Sequence, residues 1–174
     1  MTIRKILTEP DPFLRQKSTK VEIVDNETRS LMDDMLETMY AAPGIGLAAI
    51  QIGVPKRVIV LDISKSEEKK NPLYFVNPEI ISNSNTDASY EEGCLSVPGQ
   101  FAEISRPDKC KIKFLNYAGE EKVLETEGLL ATCIQHEMDH LEGILFIDYL
   151  SKLKKDMIVK KLSKQKKSLE RVIV

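Results

Sequence analysis

Tryptophan is absent from the 174 residues, and histidine occurs only twice. The 3 cysteines are an odd number, which excludes a complete disulfide framework and fits reduced thiols. No apolar run approaches the roughly 18 residues of a membrane span. The start, Met1-Thr2-Ile3-Arg4-Lys5-Ile6, lacks the apolar core and small-residue cleavage site of a secretory signal. These absences predict a cytoplasmic protein, or one of an organelle stroma or matrix after removal of a transit peptide, with no membrane partner. A large excess of either charge is also missing: Lys+Arg 25 against Asp+Glu 27 gives a formal net charge of −2, which predicts no specific DNA partner and no general nucleic-acid affinity. What is present is an ordinary globular composition, 42% hydrophobic and 30% charged. At this length the chain is expected to form one domain over 1–174, with a C-terminal helix and basic tail from about 151.

Both histidines fall in one pentapeptide, His136-Glu137-Met138-Asp139-His140. In a helix, positions i and i+4 share a face, so two imidazoles there can bind one ion. Glu137, about 100° round the helix, can reach a water at that ion without being a ligand. Leu129, Leu130, Ala131, Ile134, Met138 and Leu141 give the segment an apolar period, and Gly143 stands at a stop position. A helix over about 128–141 is predicted, with its histidines against a core where unsatisfied imidazoles would be costly.

Elsewhere the patterning is mixed. Leu31, Met32, Met35, Leu36 and Met39 mark a helix from about Asn26 to Ala42, ended by Pro43, with Glu27 and Glu37 toward solvent. Residues 44–53, Gly-Ile-Gly-Leu-Ala-Ala-Ile-Gln-Ile-Gly, fit neither period and carry one polar side chain, Gln51; a tight connection whose Gln bonds the backbone accounts for them. Arg57–Asp62 reads as a buried strand, Leu73–Val76 and Glu79–Ile81 as short strands broken by Pro78, and Asn83–Asp87 as a turn. Strands are predicted at Ala102–Ser105, Lys109–Asn116 and Glu121–Glu125, the last two joined by a hairpin around Ala118-Gly119. The fold class is α+β: short, mostly antiparallel strands around a central helix that carries the motif.

A catalytic site of this type needs a third protein ligand and one open position. No third histidine exists, position 146 being Phe, and Glu142 and Glu170 are poorly placed, which weakens a zinc endopeptidase reading. Cys133 lies seven residues before His140, a rise of about 10.5 Å, too far for both to hold one ion. Cys110 sits in a strand between lysines. Cys94, in the special-backbone stretch Glu91–Gly99, is the best remaining candidate, although a small core residue is the commoner role for a free cysteine.

Taken together, Gly44-Ile45-Gly46-Leu47-Ala48-Ala49-Ile50-Gln51, Glu92-Gly93-Cys94-Leu95-Ser96 and Gln135-His136-Glu137-Met138-Asp139-His140 resemble, in order and spacing, the three motifs of the peptide deformylases. The likeness extends over nearly the whole chain. It implies removal of the formyl group from formylmethionyl peptides by a metal-bound hydroxide, with Cys94, His136 and His140 as ligands and Glu137 as general base and acid. Fe2+ is the implied ion, with Zn2+, Ni2+ or Co2+ as substitutes. Gln51 and the Leu95 N–H are implied oxyanion donors. By the same resemblance the peptide pairs with Ile45, Gly46 and Gly93, and its methionine enters a pocket near Ile45, Tyr90, Leu129 and Cys133.

The chain departs from some relatives at Pro43, Phe101 and Thr132, where those carry glutamate, arginine and a larger apolar residue; the departures bear on substrate preference. A non-catalytic metal-binding protein is the other alternative, and Glu137 and Gln51 count against it. Leu153, Met157, Ile158 and Leu162 are expected to dock the last helix. The lysine-rich stretch after them should project into water and, by the resemblance, offers a contact to the ribosome.

Overall fold

Three methionines at helical spacing hold the first element in place. In a computed structural model, which describes residues 1–65 and 68–172, helix α1 spans Asn26–Ala41. The Asp25 carboxylate caps it by accepting the Thr28 N–H at 2.8 Å. Met32, Met35 and Met39 are fully buried. Glu37 departs from expectation in being half-buried. The sequence also predicts a charged loop from Ser64 to Asn71, whose middle lies outside the described residues.

Seven strands follow: β1 (Gly46–Ala48), β2 (Val58–Leu61), β3 (Leu73–Asn83), β4 (Asp87–Cys94), β5 (Val97–Pro107), β6 (Lys109–Leu115) and β7 (Glu121–Glu127). The α-helices that follow are α2 (Gly128–Leu141) and α3 (Lys152–Val172), and among the described residues no helix is long and apolar enough to cross a membrane. One antiparallel sheet has the order β1-β2-β3-β6-β7, and β4 and β5 form a separate two-stranded sheet. The fold is therefore α+β, as the patterning predicts.

Strand β2 shows why the large sheet is covered on both faces. Ile59 and Leu61 join Phe75, Ile112, Ile134 and Leu141 in a core shared with α2. Val58 and Val60 point the other way, to Met32, Met35 and Met39 of α1. A strand buried on both sides reads as a continuous apolar run, which is how Val58–Leu61 is spelled. A third cluster joins Val97 and Ile104 of the small sheet to Phe146, Ile147 and Leu162. After α2 the chain turns at Gly143, whose φ of 75° suits glycine and where a Cβ would collide with the Arg15 carbonyl.

Three expectations need correction. The strands predicted on either side of Pro78 are one strand, β3. The register slips between Val76 and Glu79, and Asn77 adopts a φ of 50°. Its side-chain amide binds both the N–H and the C=O of Val21 at 2.8 Å. A bulge so anchored accommodates a proline that a regular ladder would not. Strand β4, missed because Asp87–Cys94 has few apolar residues, pairs with a β5 longer than predicted. On α3, Leu153 is 72% exposed and Met157 63% exposed; the docked face is Ile158, Val159 and Leu162. The contact is thus offset from the predicted stripe. Residues 164–172 face solvent as expected.

The N-terminus is tied to α1 through Asp34, which accepts the Thr2 N–H at 2.7 Å and the Arg4 guanidinium at 2.7 Å and 2.9 Å. Burial alone would raise this carboxyl, but the hydrogen bonds from Arg4 and Thr2 outweigh it and hold the group below its ordinary value. A depressed carboxylate contributes stability above its unfolded pKa and loses it as pH falls through the folded value. Arg4→Met should therefore lower Tm at pH 7 but much less near pH 3, and Tm measured against pH for both proteins checks this.

Candidate active site

Helix α2 carries His136 and His140 on one face, and strand β4 ends at Cys94 opposite them. The Cys94 Sγ and one nitrogen from each ring all lie within 4.8 Å of one another. Cys94 Sγ stands 3.3 Å from His140 Nε2, and the two rings meet nearly edge-on with centroids 5.0 Å apart. A tetrahedral ion with bonds of about 2.0–2.3 Å has donors roughly 3.5 Å apart, so this set could close on one ion with little movement. One thiolate and two imidazoles fit a borderline divalent metal. Cys133 and Cys110 are elsewhere. Burial pushes the Cys133 thiol up to about 12, and Cys110 sits in the core 3.1 Å from the Thr126 hydroxyl.

The histidines differ in their support. His136 Nδ1 meets Glu92 Oε2 at 2.8 Å. Such a contact fixes the tautomer with Nδ1–H donating to the carboxylate, leaving Nε2 free toward Cys94. His140 is 0% exposed, and its Nδ1 is buried without a partner among the described residues. Burial holds His140 well below its ordinary value, which keeps it neutral.

Glu92 is itself gripped by Arg106, through Nε at 2.6 Å and Nη2 at 3.1 Å. Arg106 Nη1 also reaches Asp139 at 2.8 Å, the Tyr149 hydroxyl donates to the same carboxylate at 2.7 Å, and the guanidinium lies over the Tyr149 ring. Arg106, Asp139 and Tyr149 were missed as site residues. The signal was available in β5, where Ala102, Ile104 and Arg106 alternate inward: a cation at a core position demands a buried partner.

Glu137 points into the cleft from α2. Burial raises its carboxyl to about 7, so at neutral pH both protonation states are populated. Its Oε2 has no hydrogen-bond partner among the described residues. Across from it, the Gln51 amide is held in one orientation: Oε1 accepts the Ala48 N–H at 2.8 Å, so the NH2 end faces Ser96 Oγ at 3.0 Å and Cys94 Sγ at 3.5 Å. The expectation that Gln51 bonds the backbone holds, and its other end is turned to the Cys94 thiol.

These groups open on a cavity of about 500 Å³ lined by Ile45, Gly46, Tyr90, Gly93, Leu95, Leu129 and Cys133 among others. Every residue predicted for substrate contact is on its wall. So are Pro43, Phe101 and Thr132. Among the described residues β1 pairs only with β2 and β4 only with β5, so each presents a free edge on the side of the cleft. Phe146, at the position where an extended zinc-protease motif needs histidine, is instead buried and stacked on His136.

A helix with two imidazoles and a glutamate beneath a cleft, completed by a thiolate from a hairpin, defines a metal-dependent hydrolase. The comparisons narrow the class. The polypeptide deformylase family model matches residues 3–156, and the chain belongs to that family. It is 66% identical to the peptide deformylase of Pelagibacter ubique over 100% of both chains. It is 62% identical to that of Phenylobacterium zucineum over 97% of this chain and 99% of the other. The crystal structure of peptide deformylase from Ehrlichia chaffeensis superposes with a TM-score of 0.92 at 41% identity, covering 96% of this chain and 98% of that one. The same enzyme in complex with actinonin gives a TM-score of 0.91.

Gly46 packs directly against Glu137: a Cβ there would collide with the Glu137 carboxylate and also with Leu61 Cδ2. With Glu137 in the acid–base role predicted for it, Gly46→Ala should keep the secondary structure and metal content while lowering kcat by about a hundredfold, since a misplaced acid–base group forfeits roughly 10²–10⁴ in rate. Circular dichroism, metal analysis and kcat on one preparation test this, and an unchanged kcat would show the carboxylate moves freely.

Proposed function

We propose that this chain removes the formyl group from the N-terminal formylmethionine of nascent polypeptides, by metal-dependent hydrolysis in the cytoplasm, with residues 1–174 acting as one catalytic unit. The observation that carries the reading is the convergence of Cys94, His136 and His140 beside an unpartnered Glu137. Cys94 Sγ and one nitrogen each of His136 and His140 would hold the ion. The family resemblance favours Fe2+, and thiolate with imidazole also suits Zn2+, Ni2+ or Co2+. When bound, the ion supplies a Lewis acid that lowers the pKa of water and polarises the formyl oxygen.

The chain's own residues do the rest. Glu137 takes the proton of the attacking water and returns it to the nitrogen of the departing amine, a shuttle suited to a carboxyl near pH 7. The Gln51 NH2 and the Leu95 N–H donate to the oxygen that becomes negative, each worth roughly 10²–10³ in rate. The peptide lies between the free edges of β1 and β4 and pairs with backbone at Ile45, Gly46 and Gly93. Its methionine enters the apolar pocket of Ile45, Tyr90, Leu129 and Cys133. The high pKa of Cys133 makes that thiol a wall, not a nucleophile.

Formate release from formyl-Met-Ala-Ser by anaerobically prepared protein tests the function, and absence of formate from metal-loaded protein would refute it. Within the same assay Glu137→Gln should retain the metal and lose about 10²–10⁴ in kcat. Cys94→Ala should lose the metal, whereas Cys133→Ala should keep it and mainly raise KM. Metal retention in Cys94→Ala with loss in Cys133→Ala would reverse the ligand assignment.

The solvent-facing end of α3 is proposed as a ribosome contact. It carries Lys164, Lys166 and Lys167 without a buried residue, and cations bind an RNA surface through counterion release. Truncation after Leu162 should leave formyl-tripeptide hydrolysis unchanged while weakening cosedimentation with ribosomes at low salt. Equal cosedimentation would make the tail only a solubilising end.

A further inference from the structure

The site cavity does not end at its own rim. A second groove of about 490 Å³ runs between β5 and α3, walled by Ala102, Glu103, Leu150, Lys154, Met157, Ile158 and Lys161. Gln100 and Phe101 wall both cavities. Phe101 is 65% exposed and sits against Gly93, its partner in the β4–β5 ladder, where a side chain would collide with its ring. Met157, one of the residues left out of the docked face of α3, is part of this groove. Lys154 and Lys161 form no ion pair among the described residues, whereas neighbouring Lys155 holds Asp148 Oδ1 at 2.6 Å.

We infer that this groove is a distal substrate subsite, occupied by the stretch of the same polypeptide that follows the first few residues, and that it favours apolar and acidic side chains there. The inference rests on the deformylase reading above. A cavity of about 500 Å³ is of drug-molecule size, so it encloses only the beginning of a polypeptide, and the remainder must leave across its wall. A chain paired with Gly93 meets Phe101 as it leaves, because the Phe101 ring lies over Gly93 and both residues line the site cavity. From Phe101 the next surface is the groove. Its floor, Ala102, Leu150 and Ile158, is apolar; Lys154 and Lys161 outnumber Glu103 on its rim, so the charge it offers is positive. With Gln100 and Phe101 as their common wall, the two cavities lie side by side between Cys94 and α3.

The test compares three substrates with the metal-loaded full chain. One is formyl-Met-Ala-Ser, one is a formyl decapeptide with the same start and alternating Leu and Asp in its second half, and the third has Lys in place of those Asp. The acidic decapeptide should show a kcat/KM about three- to tenfold above the tripeptide, through KM and not kcat, and the lysine decapeptide should lose most of that gain, as expected of a few exposed charge pairs. Lys154→Glu with Lys161→Glu should reverse the order of the two decapeptides while tripeptide kinetics stay unchanged, which also certifies the fold of the variant. Equal kcat/KM for all three substrates in the native chain would overturn the subsite, as would an equal loss on tripeptide and decapeptide in the double variant. Concentration-dependent dimerisation abolished by the same substitutions would assign the groove to a second copy and likewise overturn it. No formate from the tripeptide would sink the deformylase reading itself, a result separate from formate release without discrimination.

Discussion

The buried carboxylate of Glu92 holds the two halves of the site together. It receives Arg106 from its own hairpin and His136 from α2, so one side chain ties the small sheet to the helix that carries the histidines. Hydrogen bonds from His136 and Arg106 hold Glu92 below its ordinary value against the opposing effect of burial. Such an arrangement is demanding. A buried ion pair adds little net stability when complete, yet removing one member costs about 3–5 kcal/mol because the other charge is left in the interior. Its return is positional: Cys94 at the end of β4 and the histidines on α2 cannot drift apart independently. The Asp139 and Tyr149 contacts extend the same constraint to the segment between α2 and α3.

Much of this was legible in the sequence because it depends on local spacing. The His136–His140 interval, the apolar period around it and the Gly143 stop specify α2 to its observed ends. The rise along a helix was enough to separate Cys133 from His140, and it is Cys94 that lies beside the two rings. Strand β4 was illegible for a physical reason. Among the described residues it has a partner on one side only, its exposed face is Asp87, Ser89 and Glu91, and its buried residue is a glutamate, so its sequence, Asp-Ala-Ser-Tyr-Glu-Glu-Gly-Cys, carries little of the apolar signal that marks a buried strand. The Pro78 bulge and the offset docking of α3 were hidden likewise, since both are decided by distant residues, Val21 in one case and Val97 with Phe146 in the other.

Glu137 and Gln51 divide the electrostatic work in opposite ways. Gln51 is spent at one end on the Ala48 N–H, which costs it freedom but aims its donors. Glu137 has a buried oxygen with no partner among the described residues, an arrangement that lowers stability and keeps the proton affinity near neutrality. A core built for stability alone would satisfy that oxygen. The local loss is affordable because the sheet behind α2 is covered on both faces.

The free edges of β1 and β4 set how choosy such a cleft can be. A strand edge reads the amide groups that all residues have in common, so recognition there is indifferent to the identity of most side chains. Only proline, with no N–H to give, is visible to a ladder as a distinct residue. A cleft of this construction is a generalist toward the residues that lie along its strand edges, and leaves any choice among side chains to surfaces beyond them.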